Sequence, residues 1–332
     1  MLHAIDAIIA GTGSYVPEGI ISNDDLEKMV DTNDERITTR TGIKTRRKAA
    51  DDETTLDLAY NAAVKALDDA GLKADDLDAI ILPTLTPNHI FPATACLLQD
   101  KLGARKNIMA VDIEAACSGF LYGMNMGSSL IGSGVCENVL VVGADCLSKI
   151  TDYTDRTSCI LFGDGSGAAV FQRAPQGSDR GVLYVEMGAD GSGGWTMQVP
   201  AGGSALPASA ETVADRKHYM RIEGREVFKF AVSKMIELTS RALESTGHSY
   251  EDVKVVVPHQ VNMRIIEAAN RKLNIPMEKV VINIDRLGNT GGCSVGLALD
   301  EANRDGRIEP GDIVVFVAFG AGLTWGVVVM KW

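Results

Sequence analysis

Apolar and polar positions in this chain repeat with two periods, and the period switches again and again. Short apolar runs bounded by Gly, Pro or Asp read as buried strands at residues 4–11, 77–82, 107–112, 139–143, 168–171, 255–258 and 313–319. The first is expected to end in a glycine turn at Gly11, and the runs at 77–82 and 255–258 are closed by Pro83 and Pro258. Helical spacing fills the intervals. Asn23-Asp24-Asp25-Leu26 is an N-cap pattern opening a helix through Val30, residues 54–70 form a helix stopped by Gly71, and residues 91–102 are helical. Residues 40–48 are basic and expected to be exposed. Strands alternating with helices predict an α/β fold with largely parallel sheets.

One stretch, Asp112-Ile113-Glu114-Ala115-Ala116-Cys117-Ser118-Gly119-Phe120, joins a predicted strand to a helix at 119–133 that carries almost no charge. Cys117 falls at the junction. Unpaired N–H groups and the positive dipole end of a helix favour a thiolate, so a lowered pKa is expected there. Gly119, Gly123 and Gly127 are four apart. Each costs a helix roughly 1 kcal/mol relative to alanine, which calls for another backbone close by. An isolated buried cysteine is ordinarily a small core residue, so its context has to decide.

That context is an internal repeat. Ala66-Leu67-Asp68-Asp69-Ala70-Gly71, followed by a strand closed by Pro83, has a counterpart in Ala242-Leu243-Glu244-Ser245-Thr246-Gly247, followed by a strand closed by Pro258. The offset is 176 residues, and it carries Cys117 onto Cys293, each followed by serine. The strand at 139–143 maps close to 313–319. Two halves of similar topology, 1–175 and 176–332, are therefore expected, with the helix after Cys117 beside the helix after Cys293. Such a pairing would account for the glycine stripe. The repeat sets His259 where the first half has Thr84, and Asn289 just before the helix at Cys293. A thiol, an imidazole and an amide could then meet at strand ends, where α/β sheets place their sites. Taken singly, His259 is an ordinary partly buried histidine and Asn289 a turn residue. His3, His89, His218 and His248 have no comparable setting.

Composition narrows the class. A chain of 332 residues, 45% hydrophobic with 34 glycines, fits a compact fold of about two domains. No apolar run approaches the ~20 residues of a membrane span. Residues 1–10 lack the basic start and long apolar core of a secretion signal. Six cysteines without a CxxC pair or zinc spacing predict reduced cytosolic thiols and no structural metal. The net charge of −12 excludes nonspecific nucleic-acid binding, and an acidic partner would need a local basic patch.

Seven segments carry a resemblance. They are Gly11-Thr12-Gly13-Ser14-Tyr15-Val16-Pro17, Thr39-Arg40-Thr41-Gly42-Ile43, Ala115-Ala116-Cys117-Ser118-Gly119-Phe120, Phe162-Gly163-Asp164-Gly165, Val257-Pro258-His259-Gln260, Gly288-Asn289-Thr290 and Phe319-Gly320-Ala321-Gly322-Leu323-Thr324-Trp325-Gly326. The chain resembles β-ketoacyl-acyl-carrier-protein synthase III over essentially its whole length. The resemblance implies a thiolase-like α/β fold, two pseudo-twofold halves layered αβαβα. It implies a cytoplasmic homodimer that condenses an acyl-CoA primer with malonyl-acyl-carrier protein and needs no cofactor. It implies the triad Cys117, His259 and Asn289, with backbone N–H groups of Cys117 and Ala321 as the acylation oxyanion site.

The resemblance further implies that Thr32, Arg36, Arg40, Arg156 and Asn262 bind CoA, with adenine between Arg36 and Arg156. It puts Phe91, Leu147 and Phe162 around the acyl chain, Phe91 reaching across the dimer. Carrier protein is expected on a basic patch with Lys229 and Arg264, and Arg271 shares that helix face. Residues 202–214 are read as a loop bordering the site. The residue types suit the chemistry, because acyl transfer needs a sulfur nucleophile and decarboxylation needs preset oxyanion donors. Four departures from the family pattern stand out. Ala321 replaces a common glycine, Gly291-Gly292-Cys293 stands where Ser-Ala-Ala is usual, Arg36 stands where several relatives have tryptophan, and Glu114 puts a carboxylate near the thiol. Two other classes fit less well: a condensing enzyme of specialised metabolism, and a non-catalytic binding homologue.

Overall fold

The computed structural model describes residues 5–332, so His3, Ala4 and the start of the 1–10 segment lie outside the described residues. A first sheet contains β1 (Ala7–Tyr15), β2 (Ala79–Pro83), β3 (Met109–Ile113), β4 (Asn138–Asp145) and β5 (Gly165–Arg173), in the order β3-β2-β4-β5-β1. A second contains β6 (Gly181–Ala189), β7 (Val253–Pro258), β8 (Ile313–Gly320) and β9 (Thr324–Lys331), in the order β7-β8-β9-β6. From β2 and from β7 onward the two sheets run alike: one parallel pair, then two antiparallel pairs. In the second sheet a single parallel bridge, Val256 to Val280, stands in the place of β3. The sheets are mixed, not largely parallel as the alternation suggested. Short connections such as the turn between β8 and β9 can join only antiparallel neighbours.

Six helices complete the layers: α1 (Thr55–Ala70), α2 (Thr94–Leu102), α3 (Gly119–Gly132), α4 (Gly224–Thr246), α5 (Met263–Leu273) and α6 (Ser294–Arg304). Leu58, Ala62 and Leu98 of α1 and α2 bury against Ile80, Leu82 and Leu140 on the outer face of the first sheet. Phe120, Leu121 and Met124 of α3 and Val295, Ala298 and Leu299 of α6 fill the space between the sheets, against Ile81, Val141, Val257 and Phe316. Met235, Leu238 and Ile266 of α4 and α5 cover the outer face of the second sheet. The order is αβαβα. Capping follows the sequence: Thr54 and Asp57 form a capping box at α1, and Gly71 ends it at φ 67°. Helix α2 begins three residues later than its spacing predicts. The carboxylate of Asp112, on β3, accepts from the N–H groups of Thr94 and Ala95 at 2.6 and 2.7 Å and caps it there.

Four expectations are corrected. The stripe Gly119, Gly123 and Gly127 faces its own sheet, not α6: a Cβ at Gly123 would lie 2.6 Å from Val141 and one at Gly127 3.1 Å from the same side chain. Strand β1 does not turn at Gly11 but runs through it, because Cβ atoms at Gly11 and Gly13 would strike the backbone of α1 at 2.4 Å. Strand β3 is an edge strand, with Met109 40% exposed. In the basic segment, Arg46 is buried among carbonyl oxygens of Ile21 and Ile160 and the amide of Asn23. Three oxygen acceptors replace the water it would need at the surface.

Candidate active site

After β3 the chain turns tightly through Ala115 and a 3-10 turn, Ala116–Ser118, into α3. Ala116 takes a left-handed φ of 47°, which costs an L-residue roughly 1–2 kcal/mol. The Glu114 carboxylate accepts the Ala116 N–H at 2.8 Å and holds the turn. Cys117 follows at 5% exposure. Its thiol is pushed up to about 12, first by burial, then by the Asp145 and Glu114 carboxylates. The lowered pKa expected from the helix start is thus overturned. Loss of water and two nearby carboxylates outweigh the dipole, and the resting group is a thiol. The backbone of Gly320 packs so closely here that a Cβ on it would lie 2.6 Å from the Cys117 nitrogen. Ala321 comes next and lies beside Cys117 in the same cavity. It is not among the residues with positive φ, so alanine fits where glycine is common.

Asp145, at the end of β4, ties the halves together. It is fully buried. One carboxylate oxygen accepts from the Leu85 N–H at 2.7 Å and from Thr84 Oγ1 at 3.2 Å, and the other accepts from the Gly292 N–H at 2.8 Å. Burial raises its pKa to about 7 against those donors. Gly292 in turn meets the Cys117 turn: a Cβ there would lie 3.0 Å from the Ala116 oxygen. Asn289, 4% exposed, lies just upstream. Its Oδ1 accepts the Gly291 N–H at 2.9 Å. The amide NH2 is left to point elsewhere. His259 directly follows β7, and its N–H continues the ladder to the Val317 oxygen at 2.8 Å. The ring is 1% exposed, sits edge-on to Phe319 at 5.8 Å, and is driven down to about 3 by burial. It is therefore a neutral imidazole.

Three adjoining cavities run towards Cys117. An outer cleft of about 980 Å³ is lined by Thr32, Arg36, Arg40, Arg156 and Asn262, all five residues expected to bind CoA, and also by Lys229, Arg264 and Phe228. A narrow passage of about 120 Å³ shares Leu161, Phe228 and Asn262 with the cleft and has Asn289 in its wall. An inner chamber of about 340 Å³ shares Phe162 and Met197 with the passage and holds Cys117, Ala321 and Leu147. His259 is not among the residues lining passage or chamber; it is buried against Phe319. Phe91 is 84% exposed and outside the chamber. The expected docking residues Lys229 and Arg264 thus share the cleft with the residues expected to bind CoA.

Partners within the cleft refine the picture. Asn262 is largely committed: it donates to the Arg40 oxygen at 3.1 Å and accepts from the Arg264 N–H at 2.9 Å, which joins the helix Asp34–Thr41 to α5. Arg156 pairs with Asp31 at 2.8 Å, with both side chains exposed. Phe228, Met197, Met220, Gly224 and Leu161 were not foreseen. Each is an unremarkable apolar or glycine position whose site role comes from folding alone. Asp145 did leave a trace, as a charged residue ending an apolar strand. Of the 202–214 segment none lines the cleft, passage or chamber; the wall comes instead from Gly194, Met197, Gln198 and Val199.

The chain is similar to known proteins over its whole length. The family model for 3-oxoacyl-[acyl-carrier-protein] synthase III matches residues 111–191, and the model for its C-terminal part matches residues 243–332. A β-ketoacyl-[acyl-carrier-protein] synthase III of Caldanaerobacter subterraneus subsp. tengcongensis is 53% identical over 332 residues, covering 100% of this chain and 99% of the relative. The crystal structure of 3-oxoacyl-[acyl-carrier-protein] synthase III from Aquifex aeolicus superposes with a TM-score of 0.90 at 46% identity, over 98% of this chain and all of that one. The priming β-ketosynthase of a polyketide biosynthetic pathway gives a TM-score of 0.89 at 31% identity, over 99% of this chain and 97% of that one.

Proposed function

We propose, from the premise that this chain belongs to the 3-oxoacyl-[acyl-carrier-protein] synthase III family, that Cys117, His259 and Asn289 perform its chemistry. The protein is an acyltransferase of the condensing-enzyme class, and its reaction is the initiating condensation of fatty acid synthesis. The observation that carries the residue assignment is the series of three cavities with shared walls, from the arginine-lined cleft, past Asn289, to Cys117. An acyl-CoA lies with its nucleotide in the cleft and its thioester at Cys117. The Cys117 sulfur attacks the acyl carbon, the bond from that carbon to the CoA sulfur breaks, and the thiol proton leaves with CoA. The negative oxygen formed on the way is held by the N–H groups of Cys117 and Ala321.

Malonyl-acyl-carrier protein then enters by the same route. Its terminal C–C bond breaks, carbon dioxide departs, and the electron pair forms an enolate whose oxygen accepts hydrogen bonds from His259 and Asn289. The enolate carbon attacks the acyl carbon on Cys117. A C–C bond forms, the C–S bond to Cys117 breaks, and a proton restores the thiol. No cofactor beyond the CoA thioester is required. We read residues 1–175 as the half supplying the cysteine and residues 176–332 as the half supplying histidine and asparagine. We read the enzyme as a homodimer, which the open edge at β3 and the exposed Ile90 and Phe91 support; Phe91 would then reach the partner's chamber. A cytoplasmic setting is supported by six unpaired cysteines, and no described helix is long and apolar enough to cross a membrane. Identity of 53% over the whole chain favours fatty acid synthesis over a specialised pathway, and the complete triad argues against a binding homologue.

The test separates the two half-reactions. His259→Ala and Asn289→Ala should still take an acyl group from acyl-CoA yet lose carbon dioxide release from malonyl-carrier protein by on the order of a hundred- to a thousand-fold. Undiminished carbon dioxide release from His259→Ala would remove the histidine from this role.

A further inference from the structure

A neutral imidazole carries one proton, so what His259 can do depends on which nitrogen holds it. Its Nδ1 lies 2.6 Å from the hydroxyl of Ser294, the first residue of α6, while its Nε2 has no protein partner among the described residues. Ser294 is 1% exposed. Besides His259, its oxygen has one neighbour within hydrogen-bond range among the described residues, the Gln260 N–H at 3.4 Å. Gln260 is itself locked: its side chain donates to the Pro258 and Val281 oxygens at 3.0 and 2.9 Å and accepts from the Asn283 N–H at 3.1 Å. Its backbone N–H can therefore only donate to the serine oxygen from where it stands.

Two proton placements are possible. If Nδ1 carried the proton, the serine oxygen would receive both that proton and the Gln260 N–H, and its own O–H would be buried without an acceptor. A buried donor left unmade costs about 1–3 kcal/mol. If Nδ1 is bare, the serine O–H donates to it and the oxygen accepts from Gln260, so Ser294 has donor and acceptor both paired, while Nε2 lacks a protein partner in either placement. The proton is then on Nε2. We propose that Ser294 is a positioning residue that fixes His259 in the Nε2–H tautomer and so makes it a hydrogen-bond donor to the developing enolate. The inference rests on the role of His259 given above.

Asn289 follows the same rule. Its one acceptor atom is occupied by the Gly291 N–H, which turns its NH2 outward. Both side chains have their acceptors covered from behind and present donors only, as an anion requires. A histidine so held cannot take the Cys117 proton through Nε2, so its loss should weigh on decarboxylation and not on acyl transfer.

The experiment uses the whole enzyme with 15N-labelled histidine, and reads both half-reactions for wild type, Ser294→Ala, Ser294→Thr and His259→Ala. Wild type should show the His259 signal, identified by its absence in His259→Ala among five histidines, with a protonated Nε2 and a bare Nδ1. Ser294→Ala should shift those signals towards a mixture and lower carbon dioxide release on the order of a hundred-fold, while acyl transfer to Cys117 stays close to wild type. Ser294→Thr, which keeps the hydroxyl, should restore both. A protonated Nδ1 in the wild type overturns the inference even if no variant folds. So does carbon dioxide release in Ser294→Ala equal to wild type, or an equal loss of both half-reactions that threonine does not restore. If His259→Ala itself keeps carbon dioxide release, the fault lies with the role of His259; if only Ser294→Ala keeps it, the fault lies with this inference alone.

Discussion

Replacing Gly291 with alanine should damage the enzyme at one defined point. Gly291 has φ 62°, a left-handed conformation that costs a side-chain-bearing residue roughly 1–2 kcal/mol. Its Cβ would also fall 2.7 Å from Asp145 Oδ2 and 3.0 Å from Leu147 Cδ1. Asp145 cannot step back, because its two oxygens hold the N–H groups of Leu85 at 2.7 Å and Gly292 at 2.8 Å. Overpacking of this kind costs about 1–3 kcal/mol, so Gly291→Ala should lose roughly 2–5 kcal/mol in all. The displaced backbone is the one whose N–H holds Asn289, so condensation should fall more than acyl transfer to Cys117. Gly292→Ala is the control. Its φ is not left-handed, and its Cβ would meet the Ala116 oxygen at 3.0 Å and Asp145 Oδ2 at 3.3 Å, so less than half the loss is expected. Urea unfolding of the three proteins gives the stabilities, and separate assays of acyl transfer and condensation give the functional split. A Gly291→Ala enzyme within about 0.5 kcal/mol of wild type, and equally active in condensation, would refute the reasoning.

Three shorter expectations follow from the same geometry. With its thiol raised to about 12, resting Cys117 should be alkylated by iodoacetamide about tenfold faster per pH unit from about pH 7 to about pH 10, and a plateau below about pH 8 would contradict a resting thiol. CoA held by Arg36, Arg40 and Arg156 should bind more weakly as salt rises, and Arg36→Ala should flatten that slope; a slope and dissociation constant unchanged by the substitution would free Arg36 of any part in binding. Arg264→Glu should raise KM for acyl-CoA as well as for malonyl-carrier protein, since Arg264 lines the cleft with Arg36, whereas a change confined to carrier protein would place docking away from it.

Much of the fold was legible in the sequence because its signals are local or repeated. The cap and stop of α1, at Thr54 and Gly71, need only neighbours in sequence to act. The 176-residue repeat set Cys117 and Cys293 at matching 3-10 turns before matching helices. What was misread depends on distant partners. The glycines of α3 have helical spacing whichever surface they meet, and only the packed structure shows Val141 beneath them. Arg46 reads as a surface cation until the Ile160 oxygen, far along the chain, arrives to accept from it. At Cys117 the helix start and Glu114 are visible in the sequence, but the burial that dominates the shift and the Asp145 carboxylate from another strand come only with folding. Residues of the route, such as Phe228 and Met197, carry no chemical mark of their own.

The central claim is that Cys117 is the residue that receives the primer. Intact-mass measurement after incubation with a series of acyl-CoAs tests it most directly, with the modified peptide then located by digestion. One added acyl group per chain is expected, on the peptide bearing Cys117, and none in Cys117→Ala. Acyl transfer to Cys117→Ala at the wild-type rate, or an adduct located on another of the six cysteines, would contradict it.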